Sequence, residues 1–227
     1  MSKAAPDKLL SPISKDQPCG VSLRYDPVYD RIQEARREDD PNVPQGVWTT
    51  KLKKADWPAA LSEIEAALAK RSKDLQLAIW RVEALLQIEG LPGLARGLRT
   101  VAALCRRYWP TLHPQMEDDD IDVRLAPLYW LDEKLPLRFG QLPIATVDWA
   151  EGKHKPTWFD LQSAMRIQPL ANSKPDDFRR MVEHGAATQA MVEAAMRASP
   201  TVFYREMRDD ILDALAAVEE LRGTLEN

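Results

Sequence analysis

The feature that most constrains this chain is the punctuation of its opening residues. Pro12, Pro18 and Pro27 fix φ and push the residues before them towards extended backbone, while Gly20 permits a turn between them. Pro12, Ile13, Pro18, Leu23 and Tyr25 mix rigid and apolar residues, unlike a disordered leader, which is poor in apolar side chains. Asp26 followed by Pro27 supplies an N-cap and a proline at the first helical position. The expectation is an extended strap over residues 1–26 that lies against a helical domain and feeds its first helix.

Helical periodicity dominates the chain beyond the strap. A helix over 28–38 has Val28, Ile32 and Ala35 on one face, and residues 39–55, with Pro41, Pro44 and Gly46, form a loop. Asp56 caps a second helix with Pro58 in its first turn and Leu61, Ile64, Ala67 and Leu68 as its stripe. Ser72 or Asp74 starts a third helix. Its Leu75, Ala78, Ile79, Val82, Leu85, Leu86 and Ile88 leave only a narrow polar side, which places it centrally. Gly90 is its C-terminal cap, and Pro92 opens a fourth helix that carries Leu94, Leu98, Val101, Leu104 and Cys105 up to Tyr108 and Trp109, where Pro110 and Pro114 stop it. Gly93 and Gly97 share one face of that helix. An interior glycine costs about 1 kcal/mol relative to alanine, so this spacing predicts a close backbone approach that offsets the loss. Asp122 caps a further helix with Leu125, Leu128, Tyr129, Leu131 and Leu135, and Pro127 predicts a kink or a start near 127.

Residues 136–156 change character: Leu137, Phe139, Leu142, Ile144, Thr146 and Val147, broken by Pro136, Pro143 and Gly152, suit a short β-hairpin near 137–150 or an irregular strap, and a hinge. Thr157-x-x-Asp160 then opens a helix through Met165 as a capping pair. A long helix is expected from Asp176 to Ala198 and a last one from Val202 to Leu225. The first carries Phe178, Met181, Val182, Ala190, Val192 and Met196 on its apolar face; the second carries Val202, Met207, Ile211, Leu215, Val218 and Leu221. They read as an antiparallel pair or a docking surface. The fold class is mainly all-α, a multi-helix bundle divided into the strap 1–26, a helical domain 27–135, the irregular segment 136–156 and the C-terminal helices 157–227.

Three ordered blocks carry a family resemblance. They are the run Pro12-Ile13-Ser14-Lys15-Asp16-Gln17-Pro18-Cys19-Gly20 with Leu23-Arg24-Tyr25-Asp26-Pro27; the run from Arg71-Ser72-Lys73-Asp74 through Trp80 to Leu94; and Tyr108-Trp109-Pro110-Thr111-Leu112-His113-Pro114 with the acids Glu117 to Asp120 and Arg124. Over residues 10–135 the chain resembles the N-terminal domain of the ImpA/TssA family, components of the bacterial type VI secretion system. The resemblance implies a non-catalytic cytoplasmic assembly adaptor. Its partners would be baseplate components, the tail tube and sheath, and the membrane complex. It also assigns ring formation to a C-terminal domain, so this chain, a fragment or a short member, is expected to be a monomer or a small dimer. From the matching motifs come the interface candidates Pro18, Gly20, Arg24, Tyr25, Asp26, Trp109 and His113.

Composition sets the other bounds. With 44% hydrophobic and 29% charged residues over 227 positions the chain can bury a substantial core. A net charge of −4 argues against nucleic acid as a partner. Lys51, Lys53 and Lys54 make only a short basic cluster. Cys19 and Cys105, far apart, suggest neither a disulfide framework nor a zinc site. Residues 1–10 carry charges and Pro6 where an exported protein needs an apolar stretch, and no run is long enough to span a bilayer, so a cytoplasmic location is the expectation.

Phosphate loops, nucleophile elbows and zinc-binding histidine pairs are absent from the sequence, and no cofactor is expected. The one enzyme-like constellation is His113 with Glu117, Asp118, Asp119, Asp120 and Asp122. Alternating carboxylates suit Ca²⁺ or Mg²⁺, but the glycine and glutamate of a calcium loop are missing, and the plainer reading is a solvated loop whose last acids cap the next helix. A metal-dependent enzyme on residues 117–122, or a helical interaction module of an unrelated complex, are the alternatives to the adaptor. Trp80, Trp109 and Trp130 fall on helix stripes and read as core. Trp48, on no stripe, either folds back on the domain or anchors a partner.

Overall fold

The computed structural model describes residues 8–39, 52–116 and 120–226. Trp48 and the acids Glu117, Asp118 and Asp119 therefore lie outside the described residues. The chain is all-α: a short 3-10 turn (Lys8–Leu10) precedes α1 (Pro27–Arg36), α2 (Trp57–Lys70), α3 (Leu75–Glu89), α4 (Leu91–Tyr108), α5 (Asp122–Phe139), α6 (Trp158–Ile167), α7 (Leu170–Ser173), α8 (Pro175–Glu183), α9 (Gln189–Ala198) and α10 (Thr201–Leu225). It forms two compact units. One holds the residues up to Glu133 together with those from Leu212 onward, and the other is Lys134–Ile211.

In the first unit α1 packs on α2, α2 on α3 and α3 on α4, and the 3-10 turn lies on α2 and α4. The central helix is α3, buried at Leu75 and at every residue from Leu77 to Leu86. Burying a large aliphatic side chain is worth about 1.5–3 kcal/mol, so α3 contributes most to this core. Its two charges inside the stripe are matched. Arg81 donates to Glu65 (2.8 Å) and Thr100 (3.2 Å), and Glu83 accepts Arg36 Nε (2.9 Å) and Nη2 (2.5 Å). The Arg36 guanidinium also lies over Trp80 (4.6 Å) and Trp130 (5.0 Å). The glycine pair of α4 does what its spacing predicts: a Cβ on Gly93 would stand 2.3 Å from Leu85 O, and one on Gly97 3.0 Å from Val82 Cα. Helix α5 starts at Asp122 and runs through both Pro127 and Pro136.

The second unit has a small core of Ala145, Trp149 and Ala195, flanked by Met191 and Met196. Here one expectation resolves to its second alternative, the irregular strap, and two are corrected. No strand occurs among the described residues of 137–150: α5 continues to Phe139, and 140–156 is turns and bends tied by Ile144 N to Pro156 O (2.8 Å) and Trp149 N to His154 O (3.3 Å). Pro143 and Pro156 lack the N–H groups a hairpin ladder needs. The expected helix 176–198 is two helices, because Gly185 at φ +98° ends α8 and the Thr188 hydroxyl caps α9 by accepting Met191 N (3.2 Å). Finally, α9 packs on α6 rather than pairing with α10, and α10 buries Ala214, Ala217 and Leu221 while Leu215 stays 56% exposed. By contrast, Thr157 and Asp160 form the full capping box at the start of α6.

Candidate functional site

Three irregular segments of the first unit meet edge to edge: the strap at 19–21, the α2–α3 linker at 71–74 and the α4–α5 linker at 111–114. Gly20 bridges antiparallel to Ser72, and Asp74 bridges parallel to His113. Lys73 N donates to Cys19 O (2.7 Å), Val21 N to Arg71 O (3.3 Å), His113 N to Lys73 O (3.0 Å) and Leu75 N to His113 O (2.7 Å). His113 Nε2 closes the set by donating to Gly20 O at 3.2 Å. The approach is close enough to require glycine: Gly20 has φ +67°, and a Cβ there would stand 2.1 Å from Arg71 O.

The strap itself is a tight, self-bonded turn. Ile13 N donates to Pro18 O (2.9 Å) and Gln17 N to Ser14 Oγ (2.9 Å), while Leu9, Cys19 and Leu23 are buried beneath. Tyr108 OH donates to Leu10 O (2.8 Å), and Cys19 Sγ shares a hydrogen bond with Thr111 Oγ1 (3.2 Å). Burial pushes the Cys19 thiol above its ordinary pKa, more than the hydrogen bond to Thr111 lowers it.

At the end of the strap Asp26 caps α1, accepting Val28 N at 2.9 Å, and takes both Nη atoms of Arg71 (3.2 and 2.5 Å). Arg71 is the first cause holding the Asp26 carboxyl below the ordinary range. One turn on, Tyr29 OH donates to Asp74 Oδ2 (2.6 Å), whose Oδ1 accepts Leu77 N (3.1 Å) as the cap of α3. Burial raises the Asp74 pKa, and the Tyr29 hydroxyl lowers it only in part.

Arg124 anchors the third segment from behind. Its side chain is fully buried and donates to three carbonyls of the α4–α5 linker: Pro114 O (3.1 Å), Leu112 O (3.0 Å) and Trp109 O. Its guanidinium lies 5.2 Å over the Trp109 ring. A cation aimed at carbonyls just past the C-terminus of α4 also suits the negative end of that helix.

The structure thus brings Pro18, Gly20, Asp26, Trp109 and His113 into one scaffold of docked segments, with Asp26 bracing it at the surface through Arg71 and His113 from within. Arg24 and Tyr25 stand apart from it. Tyr25 is 92% exposed, with the Arg24 guanidinium 5.8 Å from its ring centre. Tyr29, Arg71 and Asp74 were not among the interface candidates, although Ser72-Lys73-Asp74, a polar run set before the most apolar helix, is the signal that points to them. His113 faces Gly20. Asp120 Oδ1 accepts Asp122 N (2.9 Å) at the start of α5, and among the described residues no three His, Cys, Asp or Glu side chains are grouped to hold a metal.

A helical domain with a docked N-terminal strap is the class these observations define, and residues 10–133 match the family described as ImpA, N-terminal, type VI secretion system. The chain belongs to this family. It is 31% identical over 112 residues to the type VI secretion system component TssA1 of Pseudomonas aeruginosa, a match covering 49% of this chain and 32% of that relative. Among solved structures it resembles the N-terminal domain, including the conserved ImpA_N region, of the TssA component of the type VI secretion system from Burkholderia cenocepacia. The TM-score is 0.84 at 28% identity, over 99% of this chain and 84% of that one. Among the described residues no helix is long and apolar enough to cross a membrane.

Proposed function

We propose that this chain is a non-catalytic, cytoplasmic assembly adaptor of type VI secretion that engages baseplate and tail tube or sheath components through the outer side of its strap. The observation that carries the reading is Tyr25, 92% exposed beside Arg24, on a strap whose two flanks are bonded to the helical domain. Tyrosine and arginine are, with tryptophan, the side chains enriched where interfaces concentrate their energy. Held on a bonded strap, this pair loses little conformational entropy on binding. Asp26, Gly20 and His113 act one step behind, holding the pair in place. The chain by itself is expected to be a monomer or a small dimer, with ring formation a property of longer family members.

The test is pairwise binding of the purified chain to individual baseplate, tail and membrane-complex subunits, repeated with Arg24→Ala and Tyr25→Ala together. Loss of a two-residue hot spot worth at least about 2 kcal/mol weakens the true pair about thirtyfold or more, with the melting temperature unchanged because neither side chain is buried. Undiminished binding by the double variant would move the interface elsewhere on the domain.

A further inference from the structure

The second unit carries a cavity of about 590 Å³ that the strap reading does not involve, lined by Leu170, Lys174, Asp177, Arg180, Met181, His184 and Ala186. Asp177, Arg180, Met181 and His184 have the i, i+3, i+4, i+7 spacing, so the cavity is an open groove along one face of α8, bordered by Leu170 of α7 and the turn after Glu183. That face is left uncovered: no residue of α8 is buried, and Met181 is 43% exposed. Leu170, Met181 and Ala186 provide an apolar floor, while Lys174 and His184 stand at the two ends of α8 and Arg180 lies between them, paired with Asp177. Lys153 joins Lys174 and Arg180 from another segment. Its Nζ lies 3.1 Å from where a Cβ on Gly185 would sit, between two residues lining the cavity.

Charge settles what fits. Lys134–Ile211 holds 11 Lys and Arg against 10 Asp and Glu, whereas the rest of the chain holds 20 against 25. Of these cations Lys174 and Arg180 line the cavity and Lys153 approaches it, and only Asp177 among the lining residues opposes them. We infer that this cavity is a docking site for an acidic peptide segment of a protein partner, with a carboxylate-bearing stretch on Lys153, Lys174, Arg180 and His184 and an apolar side chain on the floor. An apolar floor of three side chains is wasted on a bare anion, and an uncharged apolar segment would leave the ammonium groups of Lys153 and Lys174 unmatched.

The probe is a short fluorescein-labelled peptide of alternating glutamate and leucine, read by anisotropy on the whole chain at low salt. Binding should saturate, weaken with added salt and fall about tenfold or more in Lys174→Glu with Arg180→Glu. Both substitutions are at exposed positions, and an unchanged melting temperature verifies the fold. Met181→Glu should weaken binding without altering the rim, and Tyr25→Ala should leave it unchanged, which separates this site from the strap. The inference is overturned if a glutamine–leucine peptide or polyglutamate binds equally well, if inorganic phosphate competes as strongly as the unlabelled peptide, or if the rim variant binds like the parent chain.

Discussion

Replacing Gly20 by alanine tests the strap directly, because the same unit contains a matched control. Gly20 and Gly90 have nearly the same backbone φ, +67° and +69°. A Cβ at Gly90 meets nothing within 4 Å, whereas at Gly20 it would fall 2.1 Å from Arg71 O and 3.2 Å from Ile13 Cγ1. Each substitution puts an L side chain at positive φ, at a cost of about 1–3 kcal/mol, and at Gly90, where ψ is −144°, it enters a region that glycine alone adopts readily. At Gly90 the cost ends there. At Gly20 the obstacle is backbone, so the strap itself must move. That loosens the bonds of Cys19 O to Lys73 N, Arg71 O to Val21 N and Gly20 O to His113 Nε2. Two or three such bonds at about 1 kcal/mol each add about 2–3 kcal/mol to the conformational cost of Gly20→Ala. For a chain of this size the gap between the two variants is about 4–12 °C in melting temperature. Urea titration followed by tryptophan fluorescence and by circular dichroism gives both stability losses, and the coincidence of the two probes checks that unfolding is cooperative. Equal losses for Gly20→Ala and Gly90→Ala would show that the strap is not docked on the Arg71 backbone.

The buried polar groups of the first unit give two further outcomes. Arg124→Met keeps the bulk but leaves the carbonyls of Trp109, Leu112 and Pro114 without their donor, and should cost about 3 kcal/mol or more in denaturant titration; a loss under about 1 kcal/mol would mean that the linker does not depend on it. Asp74 is a carboxyl whose folded pKa lies above the ordinary 3.8, so the folded state holds the proton more tightly and its contribution falls as pH rises from 3.8 through the folded value. The stability lost in Asp74→Asn should therefore shrink over that interval, and a loss that grows with pH would reverse the sign assigned to burial here.

What the sequence disclosed was local chemistry. Asp26-Pro27 and Thr157-x-x-Asp160 announce helix starts because a cap and its amide lie two or three residues apart, and both caps form. The pair Gly93 and Gly97 announces a backbone contact because only such a contact offsets two interior glycines. The braces of the site were not legible in this way. Asp26 meets Arg71, and Tyr29 meets Asp74, each across 45 positions, and no period in the sequence connects them. The break at Gly185 was written in the sequence, as a glycine with the Thr188 cap just beyond it. It was hidden by apolar residues that keep helical spacing through 176–198.

The last helix shows why bulk alone misplaces a face. Counting large apolar side chains selects Val202, Met207, Ile211, Leu215, Val218 and Leu221, yet in the first unit the buried side of α10 is Ala214, Ala217 and Leu221. Charges on α4 account for the rotation. Arg99 and Arg106 are seven apart, as are Asp213 and Glu220, so each pair lies on one face of its helix, and Arg99 meets Asp213 (2.6 Å) while Arg106 meets Glu220 (3.1 Å) and Thr224 (3.1 Å). Neither ion pair is buried, and exposed pairs stabilise weakly. Two in register nonetheless discriminate between rotations of nearly equal hydrophobic gain, because turning α10 to bury Leu215 would break both at once. With Ala214, Ala217 and Leu221 on the buried side, Leu215 and Val218 are left facing outward.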